Sequence, residues 1–71
     1  MSGIPAVELA VVRHGDGWQV VGPAGSSRHF AYRVDAEEAA LRLAEQARRT
    51  TPVVRVLVQD ANGHLSLLQA A

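Results

Sequence analysis

The chain contains no cysteine and no lysine, and only three aromatic residues, one each of tryptophan, tyrosine and phenylalanine. Without cysteine, neither a disulfide nor a cysteine nucleophile is available. No apolar segment approaches the ~18 residues that a membrane-spanning helix needs, and residues 1–6 do not resemble a signal peptide. We therefore expect a cytoplasmic protein that makes no membrane contact.

Charge of one sign is also lacking, because seven arginines are balanced by seven acidic residues and the net charge is +0. A dedicated nucleic-acid-binding protein carries a strong positive field, which this composition does not supply. The length of 71 residues allows one small domain, and such a domain buries only about 60% of the surface of its unfolded chain. With disulfides excluded, a partner chain is the simplest additional source of stability.

Short apolar runs separated by glycine, proline and asparagine predict an α+β domain with the element order β-β-β-α-β-β. The predicted strands are residues 7–13, 18–21, 28–34, 53–59 and 65–69. The first three strands form an antiparallel meander, and the helix crosses over so that the fourth strand lies parallel to the first. We expect a mixed sheet with the helix on one face, a single domain over residues 7–69, and tails at residues 1–6 and 70–71.

The helix is predicted from Asp35, whose carboxylate suits the N-cap position, while Glu38 stands at capping-box spacing. Apolar residues at positions 36, 39, 40, 43, 44 and 47 form one stripe at helical period, and all except Leu43 are alanine. Such small side chains allow the helix to lie close against a sheet. Leu41 falls outside this stripe, so we expect it to cover a sheet edge or to touch another chain.

One helix covers only one face of a five-stranded sheet, so the opposite face is expected to be open. Alternation assigns to that face the residues Ala10, Val12, Val21, Ala31, Val53, Leu57 and Leu68, mixed with Glu8, Gln19, His29, Arg33 and Arg55. A contiguous surface this apolar favours a partner. We expect a homodimer or a complex with another protein. The candidate interface residues are Val12, Val21, Ala31, Leu57, Leu68 and Leu41.

Several of these segments together resemble a family of small bacterial domains of unknown function. The resemblance rests on Asp16-Gly17-Trp18-Gln19-Val20, on Arg28 and Phe30, on Asp35-Ala36-Glu37-Glu38-Ala39 with Ala40 and Ala44, and on residues 56–65. It extends from about Val11 to Leu65 and implies no particular activity.

The hairpin residues 17–20 and the helix start at 35–39 are also similar to those of HicB-like antitoxins. The partial ribonuclease-H-like domain of those proteins runs β-β-β-α-β. This second resemblance implies a regulatory role, exercised through a partner, as an alternative to self-association.

The chemistry-bearing residues do not form a catalytic pattern. His14 and Asp16 fall in a glycine-containing turn, where such residues are ordinarily solvated, and the spacing of His29 and His64 matches no known zinc motif. A two-metal nuclease needs several converging carboxylates, and only Glu8 and Asp60 are placed near the sheet. We therefore expect a non-enzymatic protein with no catalytic residue, no metal and no cofactor.

Nucleic-acid binding is the second functional alternative. His29, Arg33 and Arg55 would form a basic band on the open sheet face. Sheets that bind single strands usually add exposed aromatic side chains for base stacking. Phe30 and Tyr32 alternate with the basic residues, so we expect them on the helix side, and a lone tryptophan such as Trp18 is typical of a core. The leading interpretation is a protein-interaction module.

Overall fold

Five strands and a helix of 15 residues account for most of the chain in a computed structural model, which describes residues 6–70. The elements are β1 (Ala6–His14), β2 (Gly17–Val21), β3 (Ser27–Phe30), α1 (Arg33–Ala47), β4 (Val53–Gln59) and β5 (Leu65–Ala70). A short 3-10 turn at Pro23–Gly25 joins β2 to β3. Residues 1–5 and 71 of the predicted tails lie outside the described residues. Ala6 and Ala70, also predicted as tail residues, belong to β1 and β5.

The strands form one sheet in the order β3-β2-β1-β4-β5. The β1–β2, β2–β3 and β4–β5 pairs are antiparallel, and β1 pairs with β4 in parallel. Short turns suffice for the antiparallel pairs, whereas the parallel pair needs a long crossover, which α1 supplies. The predicted α+β class, with the fourth strand beside the first, is confirmed.

The core lies between α1 and one face of the sheet. Alternate residues of β1, β2 and β4 supply the sheet side, since successive strand residues point to opposite faces. The buried residues are Leu9, Val11, Val20, Val54, Val56 and Val58 from the strands, with Ala36, Ala40 and Ala44 from the helix. The alanine stripe therefore faces the sheet as predicted. Trp18, Phe30 and Leu43 pack around this core and are half-buried.

The start of the helix differs from the prediction. The third strand ends at Phe30, and α1 begins at Arg33. Tyr32 is the N-cap residue of this helix, and its side chain makes no capping hydrogen bond. Asp35 lies within the first turn instead of capping it. The earlier start is supported by a bond from the Ala36 amide to the Tyr32 carbonyl at 3.2 Å and by a 2.6 Å ion pair between Arg33 and Glu37.

Three side-chain predictions at this end of the helix are corrected as a result. Tyr32 and Val34, which were expected beside Phe30 on the sheet, are 68% and 69% exposed. Glu38 does not complete a capping box, because the N-cap residue is Tyr32, six residues earlier. Its carboxylate lies 3.5 Å from the guanidinium of Arg42. The physical reason is that the continuous helical backbone from Arg33 overrides the local capping preference of Asp35.

The last strand pairs within the chain, antiparallel to β4. The turn before it is fastened by Asp60, whose Oδ1 accepts hydrogen bonds from the Asn62 amide at 2.8 Å and the His64 amide at 2.9 Å. Gly63 has a φ of 85°, which a glycine adopts without strain. A bulge shifts the register between Val56 and Leu57. Within residues 6–70, no helix is long and apolar enough to cross a membrane.

Candidate interaction surface

The sheet face opposite α1, called the open face from here on, carries a row of apolar side chains. Ala10 of β1 lies opposite Val21 of β2 and also opposite Leu57 of β4, and Leu57 in turn lies opposite Leu67 of β5. Residues paired across strands point to the same face. The four side chains therefore line up across four neighbouring strands, at right angles to the strand direction.

Additional apolar side chains widen this row. Val12 follows Ala10 by two residues on β1, and Leu65 lies opposite Gln59 at the start of β5. Val12, Val21 and Leu57 are half-buried, while Leu65 and Leu67 are 51% and 57% exposed. We call Ala10, Val12, Val21, Leu57, Leu65 and Leu67 the apolar patch. Its exposure in a single chain is the property that makes it a candidate contact surface.

Polar groups border the apolar patch along the strand direction. At the end nearer the start of β1, the carboxylate of Glu8 lies 3.3 Å from the guanidinium of Arg55, which is its register partner on the parallel strand. At the opposite end, Gln19 lies opposite Val12 and His29 lies opposite Gln19, while His14 follows Val12 by two residues on β1. The patch thus has an ion pair on one side and uncharged polar groups or histidines on the other, as an apolar contact surface with a polar rim would.

The structure distributes the six candidate interface residues over four environments. Val12, Val21 and Leu57 lie in the apolar patch. Ala31 is exposed in the bend after β3, and Leu68 is the additional residue of the β5 bulge, 38% exposed. Leu41, which was expected outside the helical stripe, is half-buried and packs against the core.

Leu65 and Leu67 were not among the candidates, although they are the most exposed members of the patch. Their face is set by the turn between β4 and β5, which places Leu65 opposite Gln59 and Leu67 opposite Leu57. A one-residue shift of that register would move both side chains to the other face. The alternation Leu65-Ser66-Leu67 indicates that the two leucines share one face of the sheet. Which face they share follows only from their pairing with β4.

The basic band expected for nucleic-acid binding is divided. His29 and Arg55 lie on the open face, but Arg33 belongs to the first turn of α1. Trp18 lies on the opposite side, where the guanidinium carbons of Arg13 and Arg33 are 5.7 and 5.6 Å from its ring centroid. These contacts cover the indole with cations and with core side chains, so that Trp18 does not offer the open face a stacking platform.

The carboxylates considered for a nuclease are both engaged elsewhere. Glu8 pairs with Arg55, and Asp60 fastens the turn before β5. Among residues 6–70, no three histidine, aspartate or glutamate side chains gather closely enough to hold a metal ion.

A cleft of about 490 Å³ runs between β3 and α1. Phe30 and Leu43 contribute apolar walls there, while Arg28, Glu38 and Arg42 add charges of both signs.

Comparison with known proteins assigns no family. No family model matches the sequence, no curated protein matches it, and no solved structure matches it. The resemblances to the small bacterial domains and to HicB-like antitoxins therefore stay predictions.

Proposed function

We propose that the protein is a non-enzymatic interaction module that forms a homodimer through its open face. The observation that carries this proposal is the apolar row of Ala10, Val21, Leu57 and Leu67 across four strands. Sheets that expose such rows commonly pack face to face about 10 Å apart, which removes both apolar surfaces from water. The helix already occupies the other face, and no element within residues 6–70 covers this row, which favours a partner outside the chain.

Charge supports a second copy as that partner. In the described strands, the acidic and arginine side chains of the open face are Glu8 and Arg55, one of each sign and adjacent to each other. The face therefore carries no net formal charge with its histidines neutral, and two copies do not repel. In a two-fold symmetric dimer the same surface meets itself. A two-fold axis that runs along the strands, between β1 and β4, would place Glu8 of one copy against Arg55 of the other and pack the apolar patches together.

Size supplies a second argument for self-association. A 71-residue chain without disulfides gains little margin from its core alone. The buried helix residues are alanines, which contribute less apolar area than leucine or isoleucine. Burying Leu57, Leu65 and Leu67 against a second copy adds the large apolar side chains that the single chain leaves accessible.

The test is the solution mass, measured by size-exclusion chromatography with light scattering over a concentration series. We expect twice the chain mass of 7.6 kDa, and we expect Leu67→Arg and Leu57→Arg to shift the protein to monomer. Val34→Arg is the matched control, because it places the same charge at an apolar residue that is 69% exposed on α1, away from the open face.

Circular dichroism of each variant establishes that it is folded before its mass is interpreted. A wild-type monomer at the highest concentration contradicts the proposal. Equal dissociation by Val34→Arg and Leu67→Arg also contradicts it, because a general charge effect would then explain the loss. Dissociation by Leu41→Arg alone would place the interface on the helix side.

Nucleic-acid binding has less support as a function, since Arg55 is paired with Glu8 and Trp18 lies on the helix side. A band shift with labelled single-stranded RNA or DNA, measured at two salt concentrations, separates the two functions. We expect no salt-dependent shift. A shift that is lost in Arg55→Ala would overturn the interaction proposal in favour of nucleic-acid binding on the same face.

A further inference from the structure

Two histidines that are distant in sequence meet at the edge of the open face. The imidazole rings of His14 and His29 have their centroids 4.8 Å apart, with ring planes inclined by 53°. His14 ends β1 and His29 lies in β3, so the two residues belong to strands that are separated by β2. Both side chains are exposed. The sheet thus brings together two imidazole ligands that no sequence motif connects.

The intervening strand leaves room for this contact. The register partner of His14 on β2 is Gly17, and the register partner of His29 is Gln19. A glycine opposite His14 has no side chain that could separate the two rings. Gly17 is also required for packing, because a Cβ atom at this position would clash with the backbone carbonyl oxygen of Phe30. The same glycine, Gly17, therefore allows the two imidazoles to approach each other and allows β2 to pack against β3.

The ring separation fits two ligands of one metal ion. An imidazole nitrogen binds zinc at about 2.0–2.1 Å, and a tetrahedral angle between two such ligands places the ring centroids roughly 5 Å apart. The observed 4.8 Å is close to this value. We propose that His14 and His29 chelate one divalent transition-metal ion of the copper, nickel and zinc class. By the general order of affinities for nitrogen ligands, Cu²⁺ binds tightest.

The surroundings define what kind of site this is. The guanidinium of Arg13 lies over Trp18 on the helix side, so that it does not oppose a cation at the imidazoles. Within residues 6–70, no third acidic or histidine ligand joins the pair. The remaining coordination positions are therefore open to water, and the ion is exchangeable. The proposal does not depend on the homodimer, because both ligands come from one chain.

The experiment is a calorimetric titration of the untagged, chelator-treated chain with Cu²⁺ and with Zn²⁺. We expect one ion per chain. His14→Ala and His29→Ala should each weaken binding roughly tenfold or more, because loss of either imidazole removes the intramolecular second contact. His64→Ala is the matched control, since His64 lies in the turn between β4 and β5, away from β3. We expect it to bind as the wild type does.

Retention of full affinity by both His14→Ala and His29→Ala overturns the proposal, as does a loss in His64→Ala equal to theirs. One ion per two chains also overturns it, because the ligands would then come from different copies. The same titration on Leu67→Arg separates this proposal from the dimer. We expect the metal affinity of this variant to equal that of the wild type, whether the metal-free variant is a monomer or a dimer.

Discussion

The side-chain carbonyl oxygen of Gln59 accepts a hydrogen bond from the backbone amide of Arg13 at 2.9 Å. The parallel pairing of β1 with β4 ends at Val11 opposite Val58. The bond from Arg13 to Gln59 therefore joins the two strands beyond their last paired residues. The side-chain nitrogen Nε2 of Gln59 donates a hydrogen bond to the backbone carbonyl of Gly63 at 3.2 Å. One glutamine thus joins the end of β1, the end of β4 and the turn before β5, next to the apolar patch.

Removing this side chain should loosen that corner of the sheet. We expect Gln59→Ala to lower the free energy of unfolding by about 1 kcal/mol, the usual net value of such hydrogen bonds, and to speed hydrogen exchange at the Arg13 amide. Gln46→Ala, at an exposed position of α1, is the control and should change stability by less than about 0.5 kcal/mol. Unchanged exchange at Arg13 in Gln59→Ala would show that the bond does not protect the end of β1.

The close approach of α1 to the sheet depends on its alanines. Ala40 is fully buried, so Ala40→Leu should force the helix away from the strands and destabilise the fold by about 1–3 kcal/mol. Glu45→Leu places the same side chain on an exposed position of the same helix and should be nearly neutral. Urea midpoints measure both variants. If the two midpoints coincide, the helix does not depend on small residues for its distance from the sheet.

The N-cap of α1 offers a stabilising substitution. Tyr32 has φ −123° and ψ 143°, the extended conformation that an N-cap residue adopts, yet its side chain makes no capping bond. We expect Tyr32→Asp to raise the free energy of unfolding by about 0.5–1 kcal/mol, because its carboxylate can accept a bond from a free amide of the first turn.

Tyr32→Ala is the control for the loss of the tyrosine itself, which is 68% exposed. The thermal midpoint of Tyr32→Asp should exceed those of both Tyr32→Ala and the wild type. A gain in Tyr32→Ala as large as that in Tyr32→Asp would assign the effect to the removed ring and not to the cap.

Much of the fold could be predicted because its strongest patterns are local. The β-branched run Val53–Gln59 forms a strand with the predicted bounds, and the alanine stripe around Ala40 faces the core. The start of α1 could not be predicted, because Tyr32 and Asp35 are competing boundaries whose capping energies differ by only about 1 kcal/mol. An i,i+4 ion pair such as that of Arg33 with Glu37 contributes about 0.2–0.5 kcal/mol, which offsets part of this difference.

The candidate surface could be predicted only in part for a different reason. Alternation placed Val12, Val21 and Leu57 on the open face, because the period along one strand is read directly from the sequence. The contributions of Leu65 and Leu67 required the register of β5, and that register contains a bulge. Arg33 was assigned to the sheet because its strand-like neighbours gave no sign that the chain had already turned into a helix.

By itself, the sequence determined the order of the elements, the position of the crossover helix and the small residues that this helix turns toward the sheet. These properties depend on residues that are near one another along the chain, where periodicity and turn chemistry act directly. Tertiary structure alone decided which residues meet across strands, including Ala10 with Leu57, Leu57 with Leu67, and His14 with His29. Such meetings depend on strand register, and register is set by turns, bulges and the packing of the whole sheet together.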